Sequence, residues 1–271
     1  MLRLISFLLS CTVATSLSSP IVTRRTALLS SAWFPIASAS AATTTSPETL
    51  IDLLKDIPTF AIVDKQGVPY MVVGEDAKVT GYFFTSYEEA KRILQTADAS
   101  ADKLVRELKR EQPNTDPKDL INPWKQATIT TVPLDVAVSL TANTVAKTAK
   151  NYFKIAPSAN DIEDALDLSG QVDLEEGKVP LFYVEEFRSP NGQQPLYFSK
   201  SQLLKDYKGD GKVQVTELFA TLKEILVGED PDLLKLTLIP PPDSIARSRK
   251  ITQQFKQEKA PFVLGQRIII L

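Results

Sequence analysis

Histidine is missing from all 271 residues, and cysteine occurs once, as Cys11. Without histidine the chain lacks the commonest general base, the commonest zinc ligand and the usual partner of a nucleophilic serine. Cys11 sits in a segment read below as removable, so thiol, disulfide and cysteine–metal chemistry would leave with it. Carboxylates and lysine remain able to do acid–base work, but no spacing among them suggests a convergent pair. The chain therefore reads as a non-enzyme without a cofactor. Basic blocks are also missing. Up to Ala41 the only charges are Arg3, Arg24 and Arg25, and the remainder carries 28 basic against 33 acidic residues. A mildly acidic body argues against a nucleic-acid partner. No apolar run near the N-terminus approaches the ~20 residues that span a bilayer, so the chain reads as peripheral to a membrane.

The first forty residues look like addresses. Residues 1–19 combine an early Arg3, an apolar core from Leu4 to Val13 and small residues from Ala14 to Ser19, the pattern of a signal peptide. Residues 20–41 follow with Arg24-Arg25, a modestly apolar stretch and an alanine-rich end, a second export signal of twin-arginine type. Two stacked signals resemble the bipartite leaders of algae with complex plastids. They predict a plastid destination, either the envelope intermembrane space or the thylakoid lumen.

Beyond Ser46 three landmarks recur in order. Ile57-Pro58-Thr59-Phe60-Ala61-Ile62-Val63 is echoed by Val179-Pro180-Leu181-Phe182-Tyr183-Val184, each a short β-rich run entered through proline. Tyr82-Phe83-Phe84-Thr85 is echoed by Tyr197-Phe198-Ser199, and each hydroxyl has Glu88 or Gln202 three residues on, as in a capping box. Residues 127–135 are echoed by 234–243, each a strand, then proline, then an Asp-led helix. Further helices are predicted at 102–109 and 216–227. The predicted fold is α/β (α+β): two duplicated β-β-α-α-β-α halves related by a pseudo-two-fold axis. The halves are placed at 48–155 and 176–260 of a single domain covering 48–271. An acidic surface linker runs from Ala156 to Lys178. The apolar end, residues 261–271, docks as a strand. Asp64, with Gly67 behind it, reads as a hairpin-turn residue.

The motif Ile57-Pro58-x-Phe60-Ala61-Ile62-Val63-Asp64-x-x-Gly67-Val68-Pro69-Tyr70 is similar to the Tic22 family. So are Gly81-Tyr82-Phe83-Phe84-Thr85-Ser86, Val132-Pro133-Leu134-Asp135-Val136-Ala137 and Pro195-Leu196-Tyr197-Phe198. That family is the small intermembrane-space subunit of the chloroplast inner-envelope protein translocon. The resemblance covers most of Ile51 to Arg249. It implies a duplicated α/β fold, precursor proteins and plastid translocon subunits as partners, and a chaperone-like part in protein import into plastids. A twin-arginine leader departs from the family's usual address. It keeps a second reading open, a thylakoid-lumen scaffold or assembly factor for a membrane complex.

Two sets of residues are candidates for binding. Phe83, Phe84, Tyr197 and Phe198 would line an apolar groove for clients if the resemblance holds; as strand residues they equally suit a core. Asp206, Asp210 and Glu217 fall at positions 1, 5 and 12 of a calcium-loop template, with Gly211 at position 6. Lys208 occupies position 3, where an oxygen is wanted, so the same stretch reads as a turn leading into a helix capped by Thr216.

Overall fold

Proline opens the two strands around which the sheets are built. In the computed structural model, which describes residues 47–73, 78–111, 121–143, 151–227, 235–255, 262 and 267–269, Pro58 begins β1 (Pro58–Val63) and Pro180 begins β6 (Pro180–Val184). The first residue of a strand is where a missing ladder donor is tolerated. Alternation then divides the side chains of β1: Phe60 and Ile62 enter one apolar cluster, Ala61 and Val63 another. At the end of β1 the Asp64 carboxylate accepts hydrogen bonds from the amides of Gln66 and Val68, at 2.8 and 3.0 Å. Gly67 supplies the positive φ of 83° that this turn requires.

The first sheet contains β2 (Tyr70–Val73), β3 (Val79–Phe84), β4 (Thr128–Pro133), β5 (Asn151–Ala156) and β10 (Arg267–Ile269) besides β1. Its order is β10-β2-β3-β1-β4, with β5 along the remaining edge of β3. β10 runs parallel to β2, so residues 267–269 dock as a strand. The second sheet is β8-β6-β7-β9, with β7 at Gln194–Tyr197, β8 at Val213–Glu217 and β9 at Leu236–Ile239.

One plan serves both sheets. β1 is antiparallel to β4 and β3, and β3 is parallel to β5. Likewise β6 is antiparallel to β8 and β7, and β7 is parallel to β9. Helices α3 (Leu134–Asn143) and α6 (Leu218–Val227) leave directly from the ends of β4 and β8. At those corners the Leu134 amide donates to the Ile57 carbonyl and the Leu218 amide to the Val179 carbonyl, each at 2.9 Å.

This pairing corrects three sequence expectations. The counterpart of β4 is β8, and that of β9 is β5, because β4 and β8 are antiparallel edge strands while β5 and β9 are parallel ones. The match of 127–135 with 234–243 therefore joined unlike positions. Element order is not β-β-α-α-β-α: residues 102–109 continue one helix, α2 (Tyr87–Glu111), and Thr216 lies in β8. Finally, the linker from Ala156 to Lys178 carries helix α4 (Ala159–Ser169), capped by Ser158 and closed at Gly170. Glu163 and Asp167 are exposed on it, whereas Asp161 and Ala165 share its buried face.

The capping boxes also differ in detail. Thr85 is buried and lies two residues before α2 begins. Ser199 does hold the N-cap of α5 (Lys200–Asp206), but its hydroxyl meets Ser201 at 3.0 Å and caps no amide.

Two outer helices cross from one sheet to the other. α4 follows β5 of the first sheet yet packs on β6 and β8 of the second. α7 (Pro242–Phe255) follows β9 of the second sheet yet packs on β1 and β4 of the first. Three cores result. Phe60, Ile62, Phe84 and Ile251 meet under α2 and α7; Phe182, Tyr197, Leu203 and Ala165 meet under α4 and α5. The third and largest joins both sheets with α1 (Pro47–Leu54), α3 and α6. All described residues belong to one compact unit, Thr44–Leu271. Residues 1–41, read as two leaders, lie outside the described residues.

Gly81 is required by packing. A Cβ there would stand 2.9 Å from the Phe153 ring, which also stacks on Phe83 at a centroid distance of 5.4 Å. Gly81→Ala is expected to force that ring out of place and cost about 1–3 kcal/mol, the usual range for overpacking. A lowered urea midpoint with an unchanged slope would register it; an unchanged midpoint would show that the ring moves freely.

Candidate functional site

The four aromatic candidates do not share a groove. Phe83 and Phe198 lie in the core that joins the sheets, Phe84 beneath α2 and α7, and Tyr197 beneath α4 and α5. All four are buried. As neighbours along strands their side chains point to opposite faces, and both faces of each sheet are covered. The client-groove assignment to Phe83, Phe84, Tyr197 and Phe198 is thereby corrected to core. Burial and the neighbouring Asp206 carboxylate, which accepts the Tyr197 hydroxyl at 3.1 Å, hold that phenol up at about 12.

Asp206, Asp210 and Glu217 serve different neighbours. Asp206 ends α5 and also accepts two contacts from Gln202, at 2.9 and 3.0 Å. Asp210 is exposed in the connecting loop. Glu217 precedes α6, where its carboxylate accepts from the Ala220 amide at 2.8 Å and from Val179 at 3.3 Å. It takes the capping role the sequence assigned to Thr216. The loop itself is organised by Tyr207, which donates to Glu186 at 2.7 Å and accepts from the Gly211 amide at 2.9 Å. The bond between them raises the Tyr207 phenol and lowers the Glu186 carboxyl, whereas the Gly211 amide opposes the rise. Among the described residues no three potential ligands gather as a metal site would require.

What the fold does bring together is a set of helix starts. β3, β5, β7 and β9 each pass into α2, α4, α5 and α7 through a two-residue link: Thr85-Ser86, Pro157-Ser158, Phe198-Ser199 and Pro240-Pro241. The four links converge on a polar recess of about 590 Å³. Amide-rich N-termini attract negative charge, and Glu163, Asp164, Asp167 and Asp243 line the same space. Lys200 holds Asp164 at 2.9 Å. Ser158 caps α4 by accepting from the Asp161 amide, and its hydroxyl donates to the Asp161 carboxylate at 2.5 Å. Asp161 is buried, and burial pushes its carboxyl up to about 6; the Ser158 and Ser199 hydroxyls oppose that rise, while Asp164 and Glu89 add to it.

A second recess, of about 560 Å³, lies beside β5. Ala142, Tyr152, Phe153 and Phe219 supply its apolar wall, and Lys154, Glu176 and Lys178 its charged rim. Lys154 bridges to Glu176 at 2.6 Å, and Tyr82 donates to the same carboxylate group at 2.7 Å. Neither recess was read from the sequence. Ser158-x-x-Asp161 is a visible capping pattern, whereas Ala142, Tyr152 and Phe219 are brought together only by the fold.

A model of the Tic22-like family matches residues 4–244. No curated protein matches the chain. Among solved structures, Tic22 from Plasmodium falciparum superposes with a TM-score of 0.55 at 18% identity, over 76% of this chain and 98% of its own. Anabaena Tic22, described as a protein of protein transport, gives 0.53 at 21% identity, over 76% and 97%. At these identities the likeness to the two structures is one of fold.

Proposed function

The chain belongs to the Tic22-like family, and from that premise we propose that it acts as a chaperone-like component of protein import into plastids, binding precursor proteins between the envelope membranes. The family match over residues 4–244 carries this reading. The leader pattern of Arg3, an apolar run and Arg24-Arg25 supports a plastid address. No helix among the described residues is long and apolar enough to cross a membrane, so contact with translocon subunits would be peripheral. The repeated strand plan supports an origin of the two halves by duplication.

With the aromatic quartet buried, the client surface is assigned to the recess beside β5. An apolar wall with a charged rim of both signs suits an extended, mixed-composition segment. Exposed Ala142 is the position at which to test it. Ala142→Glu places a charge in the recess without disturbing the core. It is expected to weaken binding of an unfolded precursor to the full chain about tenfold, roughly 1.4 kcal/mol, with thermal stability unchanged. Undiminished binding by this variant would remove the recess from consideration.

The alternative, a thylakoid-lumen scaffold or assembly factor, is favoured by the twin arginine alone. Protease protection in fractionated plastids separates the two readings. Protection between the envelope membranes supports import; protection within thylakoids supports the scaffold.

A further inference from the structure

We propose that Asp161 makes the junction between the two halves a pH-sensitive latch, closed while its carboxyl is protonated and loosened when it ionises. The geometry is that of the exchanged helices. Asp161 is the third residue of α4, which follows the first sheet but covers the second, and its side chain faces Ser199 at the head of α5. The matching position of α7 is Ser244, also buried, whose hydroxyl donates to the Thr85 carbonyl at 3.3 Å ahead of α2. Two equivalent junctions thus tie the halves together, and one of them carries a titratable group.

The surroundings do not neutralise it. On α4 itself lie Glu163, Asp164 and Asp167; α5 offers Lys200 and Lys205; α7 offers Asp243; α2 offers Glu89. Lys200 is engaged by Asp164 at 2.9 Å and Arg92 by Glu89 at 2.5 Å. Among the described residues no cation pairs with Asp161. Its charge would be held by hydroxyls and helix N-termini against the cost of burial.

Burial raises the folded-state value to about 6, above the ~3.9 of an unfolded aspartate. The folded chain therefore keeps the proton longer than the unfolded one. The stabilisation is fully present below about pH 4 and is lost as pH rises through about 6. Each pH step in that window is worth up to tenfold in the opening constant, so the full effect is up to about a hundredfold.

The test is hydrogen exchange on the full chain from pH 4 to 7.5, corrected for intrinsic rates and read at 159–163 and 200–204. A parallel carbon-13 titration follows the Asp161 carboxyl. Expected are a titration midpoint near 6 and a ten- to hundredfold rise in opening of both helix heads. Asp161→Asn should abolish the rise. Should that variant fail to fold, Ser199→Ala provides the second reading: loss of its hydroxyl should move the midpoint upward. A midpoint below about 4.5 would overturn the proposal, as would the same pH dependence in wild type and Asp161→Asn, or a midpoint unmoved by Ser199→Ala.

Discussion

Phe83→Ala is expected to remove a large share of the chain's stability. The side chain is fully buried in the core that joins both sheets, stacked on Phe153 at 5.4 Å and 5.8 Å from Phe262. Its alternation partner Phe84 faces the opposite core, so no neighbouring side chain on β3 can turn inward to fill the space. Truncation of a buried phenylalanine costs about 3–5 kcal/mol through lost transfer energy and an unfilled cavity. Net stability of a domain is about 5–15 kcal/mol. The urea midpoint should therefore fall by roughly 1–2.5 M at a slope of ~2–3 kcal/mol/M. A residue lining a client groove would behave in the opposite way, with an unchanged midpoint and weakened client binding. This variant thus tests the assignment of the aromatic quartet to the core.

Ile251→Asp should open the first sheet, although the residue lies in the second half of the chain. Ile251 is buried on α7 among Phe60, Ile62, Phe84 and Trp124, all from the first half. An aspartate there either buries an unpaired charge or lifts the helix away, a penalty of several kcal/mol, about 3–5 by comparison with other broken buried charge sites. Hydrogen exchange should show protection lost in β1 and β4 and retained in β6 and β8. The reverse distribution would mean that α7 stabilises its own half and that the helix exchange has no energetic weight.

Much of this fold was legible before the structure. Pro58 and Pro180 marked strand starts because a missing amide is tolerated at the first residue of a strand. Asp64 and Gly67 marked a turn whose carboxylate and positive φ are both local requirements. Ser199, read as the start of a capping box, does stand at the N-cap of a helix. What escaped was the role of segments whose chemistry suits more than one setting. Val213-Gln-Val-Thr-Glu217 alternates like a strand, yet Thr216 ahead of an apolar helical stripe equally suits an N-cap, so the sequence places the helix start two residues early. The acidic run at 161–167 reads as solvated linker until Ser158 and Gly170 are seen to bound a helix there. Of the candidate sites, neither the seam at Asp161 nor the recess at Ala142 could be assembled from spacing. Their residues come from four and more elements far apart in the chain.

The sequence by itself determined the α/β class, the absence of imidazole chemistry and the family motifs. Each follows from residues within a few positions of one another. Only the tertiary structure decided which sheet each outer helix covers, which aromatic residues are core, and that a carboxyl at position 161 is buried. Those outcomes depend on apolar area and desolvation summed over both halves. A helix settles where it buries the most surface, and no local pattern in α4 or α7 says which half will offer it.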